Sequence, residues 1–369
     1  MALTSFSGAV LLPVTAYRNA SSRPATSKRS LAYVRPCRTS SGPRRANVVA
    51  MAAREGKQWN PAVLLKKLIS RDTSVDDEVT QTTNDLMVAF RLLKGKEIGV
   101  SDELTDKFLD EKAAKKLTMG PSFLDPALGE GLLSRHKFFT ARLQEAVATR
   151  GGSPQVVSLG VGFDTRALTE ECLEGLDVFE VDFPAVLEDK YSTLARGGVP
   201  RPPSVRAVGA DLNSAVPALA EAGFNPAASP PVVLIEGLLY YLKPEMQRKV
   251  LSPSYLGLPK GTPVLFDVIG QDKITFVNEG FLGLGFGSNL WEDTFLGGAS
   301  GPAEVAEAIK ALGYSRAEVK TIREVGDGDW GELDWRLSKV DRLFGVLPLP
   351  KLRGGPDAGD SWYLVVAEV

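Results

Sequence analysis

Between Gln155 and Lys190 the chain reads QVVSLGVGFDTRALTEECLEGLDVFEVDFPAVLEDK, an order of residues that few folds accommodate. Val156, Val157 and Leu159 form an apolar run broken by Gly160 and Gly162, after which Asp164-Thr165-Arg166-Ala167-Leu168 reads as the start of a helix. The pattern predicts a strand, a tight glycine turn and a helix. A second apolar run, Val178-Phe179-Glu180-Val181, ends in Asp182 and is stopped by Pro184, which puts a carboxylate at the carboxyl end of the next strand. In an open α/β sheet that rim is the binding crevice.

Glycines let a ligand lie against the backbone of the first turn, and the acid after the second strand can accept hydrogen bonds from both hydroxyls of a ribose. The expected ligand is an adenosyl nucleoside. Gly160-x-Gly162 alone is a weak signal, since a glycine pair after an apolar strand is more often a plain turn; the acid that follows gives it weight.

Taken together, LGVGFDTRAL and FEVDFPAVLEDK resemble the leucine carboxyl methyltransferase family of S-adenosylmethionine-dependent methyltransferases. Two further pieces are similar to that family: Ser134-Arg135-His136-Lys137-Phe138-Phe139, at its arginine segment leading into a helix, and Ile235-Glu236-Gly237-Leu238-Leu239-Tyr240-Tyr241-Leu242, at its EGLLxYL signature. The resemblance covers residues 75 to 369. It implies an α/β fold, a Rossmann-like seven-stranded class I methyltransferase sheet with an N-terminal helical cap, and S-adenosyl-L-methionine as cofactor. It also implies that Arg135 holds the methionine carboxylate, a task suited to a planar, permanently charged fork. An arginine at the start of an amphipathic helix is equally often a surface ion-pair partner. The turn residues Gly160, Gly162 and Asp164 join Asp182 in the expected cofactor site.

With 369 residues and 44% apolar types the chain can bury one large domain, and no apolar run approaches the roughly twenty residues that cross a bilayer. No membrane association is expected. Cys37 and Cys172 are too few for a disulfide framework and have no metal-ligand spacing, so no metal is expected either. His136 is the sole histidine and no G-x-S-x-G elbow precedes it, which sets hydrolysis aside.

Residues 1–50 carry eight Lys/Arg, twelve Ser/Thr and no acid, the composition of a disordered transit peptide. A plastid address with processing near Ala50 to Ala53 is expected, a mitochondrial one being the alternative. The remainder carries 35 basic and 45 acidic side chains, a formal charge of about −10, which argues against nucleic acid as a partner. A monomer is expected.

Residues 51–150 read as the helical cap and 151–369 as the cofactor-binding domain. Leu86-Met87-Val88-Ala89-Phe90-Arg91-Leu92-Leu93 recurs at helical spacing, Lys94-Gly95-Lys96 is read as a helix end, Pro121 and Pro126 bracket a loop, and Ser134 to Thr149 forms the next helix. The lysine that often follows the entry segment in the family is missing, Arg91 being the nearest cation.

Downstream, Ala207 to Leu212 reads as a third strand ending at Asp211, where an Asp-Leu pair flanks the adenine in related methyltransferases. An Asx cap at Asp211 is the plainer reading and is compatible with the first. Val232 to Ile235 is the fourth strand, with Glu236 at its end, where a carboxylate is costly unless paired or in reach of the ligand. Glu236, Tyr240 and Tyr241 are the catalytic candidates, the tyrosines being as readily packing residues. Thr262 to Ile269, Ala317 to Ile322 and Trp362 to Val369 complete the strands, the last expected to run antiparallel. The glycine-rich run 280 to 300, with Phe281, Phe286, Trp291 and Phe295, is the candidate for substrate selection, and Gly326 to Asp360 a long loop over the pocket or against a partner.

The leading reading is an S-adenosylmethionine-dependent methyltransferase acting on a carboxylate or hydroxyl of a small molecule or peptide. Its alternatives are a catalytically silent, cofactor-binding regulator and a nicotinamide-dependent oxidoreductase. The oxidoreductase turn needs a third glycine where this chain has Thr165, and a silent member would have lost the cofactor residues kept here.

Overall fold

Apolar runs with both faces buried are the signature of parallel strands covered by helices, and the strands at Gln155, Val178, Pro231 and Pro263 obey it, whereas Val205–Gly209, at the sheet edge, is buried only in part. The computed structural model of the chain describes residues 77–100, 102–124, 128–279, 291–327 and 361–369. Seven strands, β1 (Gln155–Leu159), β2 (Val178–Asp182), β3 (Val205–Gly209), β4 (Pro231–Ile235), β5 (Pro263–Ile269), β6 (Arg316–Thr321) and β7 (Trp362–Glu368), form one sheet in the order β3-β2-β1-β4-β5-β7-β6. β7 lies antiparallel between β5 and β6, and the other pairings are parallel. This is the Rossmann-like class I sheet expected from the sequence.

Side-chain alternation divides the core in two. Val157, Leu159, Phe179, Val233, Ile235, Phe266 and Val268 face α7 (Pro244–Leu251) and α9 (Pro302–Lys310). Val156, Val178, Val232, Leu234, Leu265 and Ile269 face α4 (Leu128–Arg150) and α10 (Ile322–Asp327). α4 therefore packs on the sheet itself, against β4 and β5, whereas α1 (Asp77–Ile98), α2 (Thr105–Phe108) and α3 (Glu111–Leu124) form the layer above it.

Three helix boundaries differ from expectation. α1 runs past Lys94-Gly95-Lys96 to Ile98, where Gly99, at φ +76°, takes the left-handed conformation that glycine adopts without a Cβ clash. α3 continues through Pro121, which removes only one donor from its last turn. α4 begins at Leu128, a turn and a half before Ser134. The helix after the glycine turn, α5 (Arg166–Thr169), is a single turn followed by a 3₁₀ segment, Glu171–Leu173; the next full helix is α6 (Pro184–Arg196), after β2.

All described residues fall within one unit of the chain. The expected transit peptide, the helical pattern before Asp77, residues 280–290 of the glycine-rich run and most of the loop from Gly326 to Asp360 lie outside the described residues.

Candidate functional site

Strand register fixes the site before any side chain is considered. Leu159 pairs with Val181, Asp182 with Gly209, and Ile235 with Phe266, so Gly160, Asp182, Glu236 and Asp267 fall on one rim of the sheet. A cavity of about 310 Å³ opens there, roofed by α1 and walled on one side by α4. Every cofactor and catalytic candidate named from the sequence lines it: Arg135, Gly160, Gly162, Asp164, Asp182, Asp211, Leu212, Glu236, Tyr240 and Tyr241, with Trp291 of the run assigned to substrate selection, whereas Phe295 does not.

The glycine turn is held at both ends. The amides of Gly160 and Val161 donate to the Val181 carbonyl at 2.8 and 3.2 Å, and the Gly162 amide donates to Asp182 Oδ2 at 2.7 Å. Gly160 and Gly162 have φ of +67° and +49°, and a Cβ on Gly160 would come within 2.9 Å of the Leu238 side chain. Asp182 also accepts from the Phe183 amide at 2.7 Å. Burial pushes its carboxyl up, partly offset by those two amides. The acid thus fixes the turn and still borders the cavity. Asp211 accepts from the Asn213 amide at 2.9 Å and the Ser214 hydroxyl at 2.9 Å, an Asx turn rather than the expected cap, since no helix follows before β4, and Asp211 and buried Leu212 line the cavity as well.

The opposite wall is a charge network. Arg135 is only 3% exposed, so a surface ion pair is ruled out. Its Nε donates to Glu236 Oε1 at 3.1 Å and its Nη1 to Asp267 Oδ2 at 3.1 Å and to the Tyr240 hydroxyl at 3.0 Å, while Trp362 lies against the guanidinium with its ring centroid at 5.2 Å. Nη2 has only the Met87 sulfur, at 3.9 Å, and lies over Gly237, where an added Cβ would meet it at 3.0 Å. Asp267 is wholly buried and also accepts from the Gly237 amide at 2.6 Å and Trp362 Nε1 at 2.9 Å. Arg166 bridges Asp164 and Glu236, and His136 Nδ1 stands 3.7 Å from Glu236 Oε2.

These contacts decide protonation. Burial raises the Glu236 carboxyl, but Arg166, Arg135 and His136 outweigh it and hold it well below the usual carboxylate range. Burial likewise acts against Asp164, and Arg166 and His136 again prevail, keeping it ionised. Burial pushes the Tyr240 phenol up, with Arg135 opposing, and it pushes Tyr241 up too. Glu236 is therefore held as a carboxylate and the two tyrosines as phenols.

Arg91, the cation nearest the entry segment, also lines the cavity. It is buried, and donates through Nη2 to the Phe163 carbonyl at 2.7 Å and through Nη1 to Thr165 Oγ1 at 3.1 Å, with Asp102 at 3.6 Å. It pins α1 onto the backbone just beyond the glycine turn. Arg166, Asp267, Met87 and Trp362 are missing from the site read from the sequence, whereas Trp291 belongs to the run assigned there to substrate selection. A lone acid inside the apolar run VLFDVI was a usable sign of Asp267, because a carboxylate in a central strand requires partners. Among the described residues no group of His, Cys, Asp or Glu is arranged to hold a metal.

Relatives agree with the geometry. A protein of Saccharopolyspora erythraea provisionally named an S-adenosyl-L-methionine-dependent methyltransferase is 35% identical over 178 residues, covering 44% of this chain and 61% of its own. One of Mycobacterium marinum with the same provisional name is 43% identical over 125 residues, covering 33% and 39%. The chain thus spans between two and three fifths of the length of these relatives. A crystal structure from Thermobifida fusca, provisionally titled a methyltransferase, aligns over 80% of this chain and 99% of its own, with 15% identity and a TM-score of 0.45. The cofactor is S-adenosyl-L-methionine, and the bare glycine backbone, the acceptor carboxylates of Asp182 and Asp211 and the Arg135 fork fit its parts. The family described as leucine carboxyl methyltransferase matches residues 55–254, more than half of the sequence, and the chain belongs to that family.

Proposed function

We propose that this chain is an S-adenosyl-L-methionine-dependent methyltransferase that methylates an oxygen, of a carboxylate or a hydroxyl, on a small molecule or peptide. The observation that carries the reading is the convergence of the glycine turn, Asp182 and the Arg135–Glu236 pair on one cavity. Asp182 would hold the ribose hydroxyls, Asp211 and Leu212 the adenine, and Arg135, through Nη2, the methionine carboxylate. The cofactor supplies a methyl group already activated on a sulfonium. What remains for the protein is alignment and exclusion of water. Asp267, Tyr240 and Glu236 fix the Arg135 fork, and the Leu86 and Met87 side chains of α1 cover the cavity.

Calorimetry with S-adenosylhomocysteine tests the reading. The parent chain should bind it, and Asp182→Ala should weaken it by about 1.5–3 kcal/mol, the worth of hydrogen bonds to a charged acceptor. Unchanged affinity would remove Asp182 from the site, and tight NADH binding instead would overturn the assignment.

The basic, acid-free composition of residues 1–50 supports a plastid address. Those residues fused to a fluorescent reporter should carry it into plastids; mitochondrial fluorescence would reverse the assignment.

A further inference from the structure

We infer that the methyl-acceptor end of the cavity takes a flat, uncharged aromatic ring rather than a carboxylate terminus; this rests on the methyltransferase reading above and narrows it. The first observation is an aromatic wall. The Tyr240 ring centroid lies 4.8 Å from Tyr241 and 4.9 Å from Trp291, with the planes tilted by 53° and 50°. Tyr241 and Trp291 are only half-buried and border the cavity, with Met87 and Trp362 beside them. This wall is fixed in place. Asn278 of α8 (Gln271–Glu279) donates through Nδ2 to the Trp291 carbonyl at 2.6 Å and accepts from its amide at 3.3 Å, and the next amide, of Glu292, donates to the Tyr240 carbonyl at 2.8 Å. Preordered aromatic faces bind another ring by offset or edge-on stacking without first losing side-chain freedom.

Charge supplies the second observation. Among the described residues that line the cavity, the guanidiniums are those of Arg91, Arg135 and Arg166, and each already has a carboxylate: Asp102 at 3.6 Å, Glu236 and Asp267 both at 3.1 Å, and Asp164 together with Glu236. The lining carboxylates Asp182 and Asp211 have amide and hydroxyl donors as their partners. Arg135 Nη2, whose partner among the described residues is the Met87 sulfur, is the donor assigned to the cofactor's own carboxylate. Among the described lining residues an acceptor carboxylate would meet aromatic rings and basic groups that already face carboxylates, His136 standing 3.7 Å from Glu236, and an unpaired buried charge is strongly disfavoured. A neutral ring bearing a hydroxyl meets no such penalty; as its oxygen takes the methyl, the sulfonium becomes a neutral thioether and the hydroxyl proton passes to solvent.

A matched pair of probes decides between them: 2-naphthol and 2-naphthoate, which share a ring system and differ in charge. Each is titrated by calorimetry into the full chain saturated with S-adenosylhomocysteine, whose own binding is measured first. The naphthol should bind at least about tenfold more tightly than the naphthoate, and Trp291→Ala should weaken the naphthol about tenfold, the worth of one good aromatic contact. Trp291→Phe should restore most of that loss, which separates a lost ring face from a misfolded chain. Naphthoate binding as well as naphthol, naphthol affinity indifferent to Trp291→Ala, or neither probe binding to the S-adenosylhomocysteine complex would each overturn the inference while leaving the methyltransferase reading intact. Failure of S-adenosylhomocysteine itself to bind would sink the broader reading instead.

Discussion

Asp267 holds the cavity floor, and replacing it by asparagine tests how much of the site depends on one buried charge. The side chain is wholly buried and receives three hydrogen bonds, from the Gly237 amide, Arg135 Nη1 and Trp362 Nε1. In Asp267→Asn the amide oxygen can keep the Gly237 contact. The new NH₂ group then faces two donors, Arg135 and Trp362, which both lose their acceptor. Removing one partner of a buried ion pair costs about 3–5 kcal/mol, and because Arg135 retains Glu236 at 3.1 Å the loss belongs near the lower end, about 3 kcal/mol. At about 2 °C per kcal/mol for a chain of this size, the melting temperature should fall by about 6 °C. Circular dichroism melts and urea titration of the parent and variant measure the change, and S-adenosylhomocysteine calorimetry on the folded variant shows whether Arg135 still presents its fork. A variant that melts within a degree of the parent would refute the reasoning, since Asp267 would then not be the acceptor on which Arg135 depends.

Two other outcomes follow from the same network. Glu236 has a folded-state pKa well below its ordinary 4.5, so its ionised form stabilises the fold above about pH 4.5 and that contribution is lost progressively as the pH falls further; stability of Glu236→Gln should therefore fall less steeply below pH 4.5 than that of the parent, as urea titrations at stepped pH would reveal, and parallel slopes would exclude this role. Arg135→Lys keeps the charge but loses the fork, and it should weaken S-adenosylmethionine about tenfold while sparing methylthioadenosine, which has no carboxylate, in paired calorimetric titrations; equal losses for both ligands would mean a distorted pocket rather than a lost clamp.

The parts of the site legible in the sequence are those whose chemistry is local. Gly160, Gly162 and Asp182 lie within two consecutive strands and their ends, where turn conformation and register leave little freedom. Asp267 and Trp362 are different in kind: Asp267 is 132 residues from Arg135 and 95 from Trp362, and only the strand order brings them together. The same holds for Arg166, whose part in the DTR segment reads as helix start until Glu236 arrives from β4. Arg91, the cation nearest the entry segment, borders the cavity, and its Nη1 and Nη2 donate to Thr165 and Phe163. The helix ends at Gly95 and Pro121 fail for another reason: single punctuating residues act on one turn, whereas packing of α1 and α3 against each other extends over several.

The antiparallel strand between β5 and β6 has a consequence for the order in which the protein is made. Emerging from the ribosome, the chain presents β5, with its PVLFDVI backbone, long before β7 is synthesised, and until then one edge of that strand is unpaired and Asp267 lacks the Trp362 donor. Only residues 361–369 close this gap, also joining β6 to the sheet and bringing the Tyr363 hydroxyl to accept from the Gly301 amide. A nascent chain of this kind has to protect an apolar, strand-hungry edge through about the last quarter of its synthesis, an interval in which chaperones and translation rate bear on its yield.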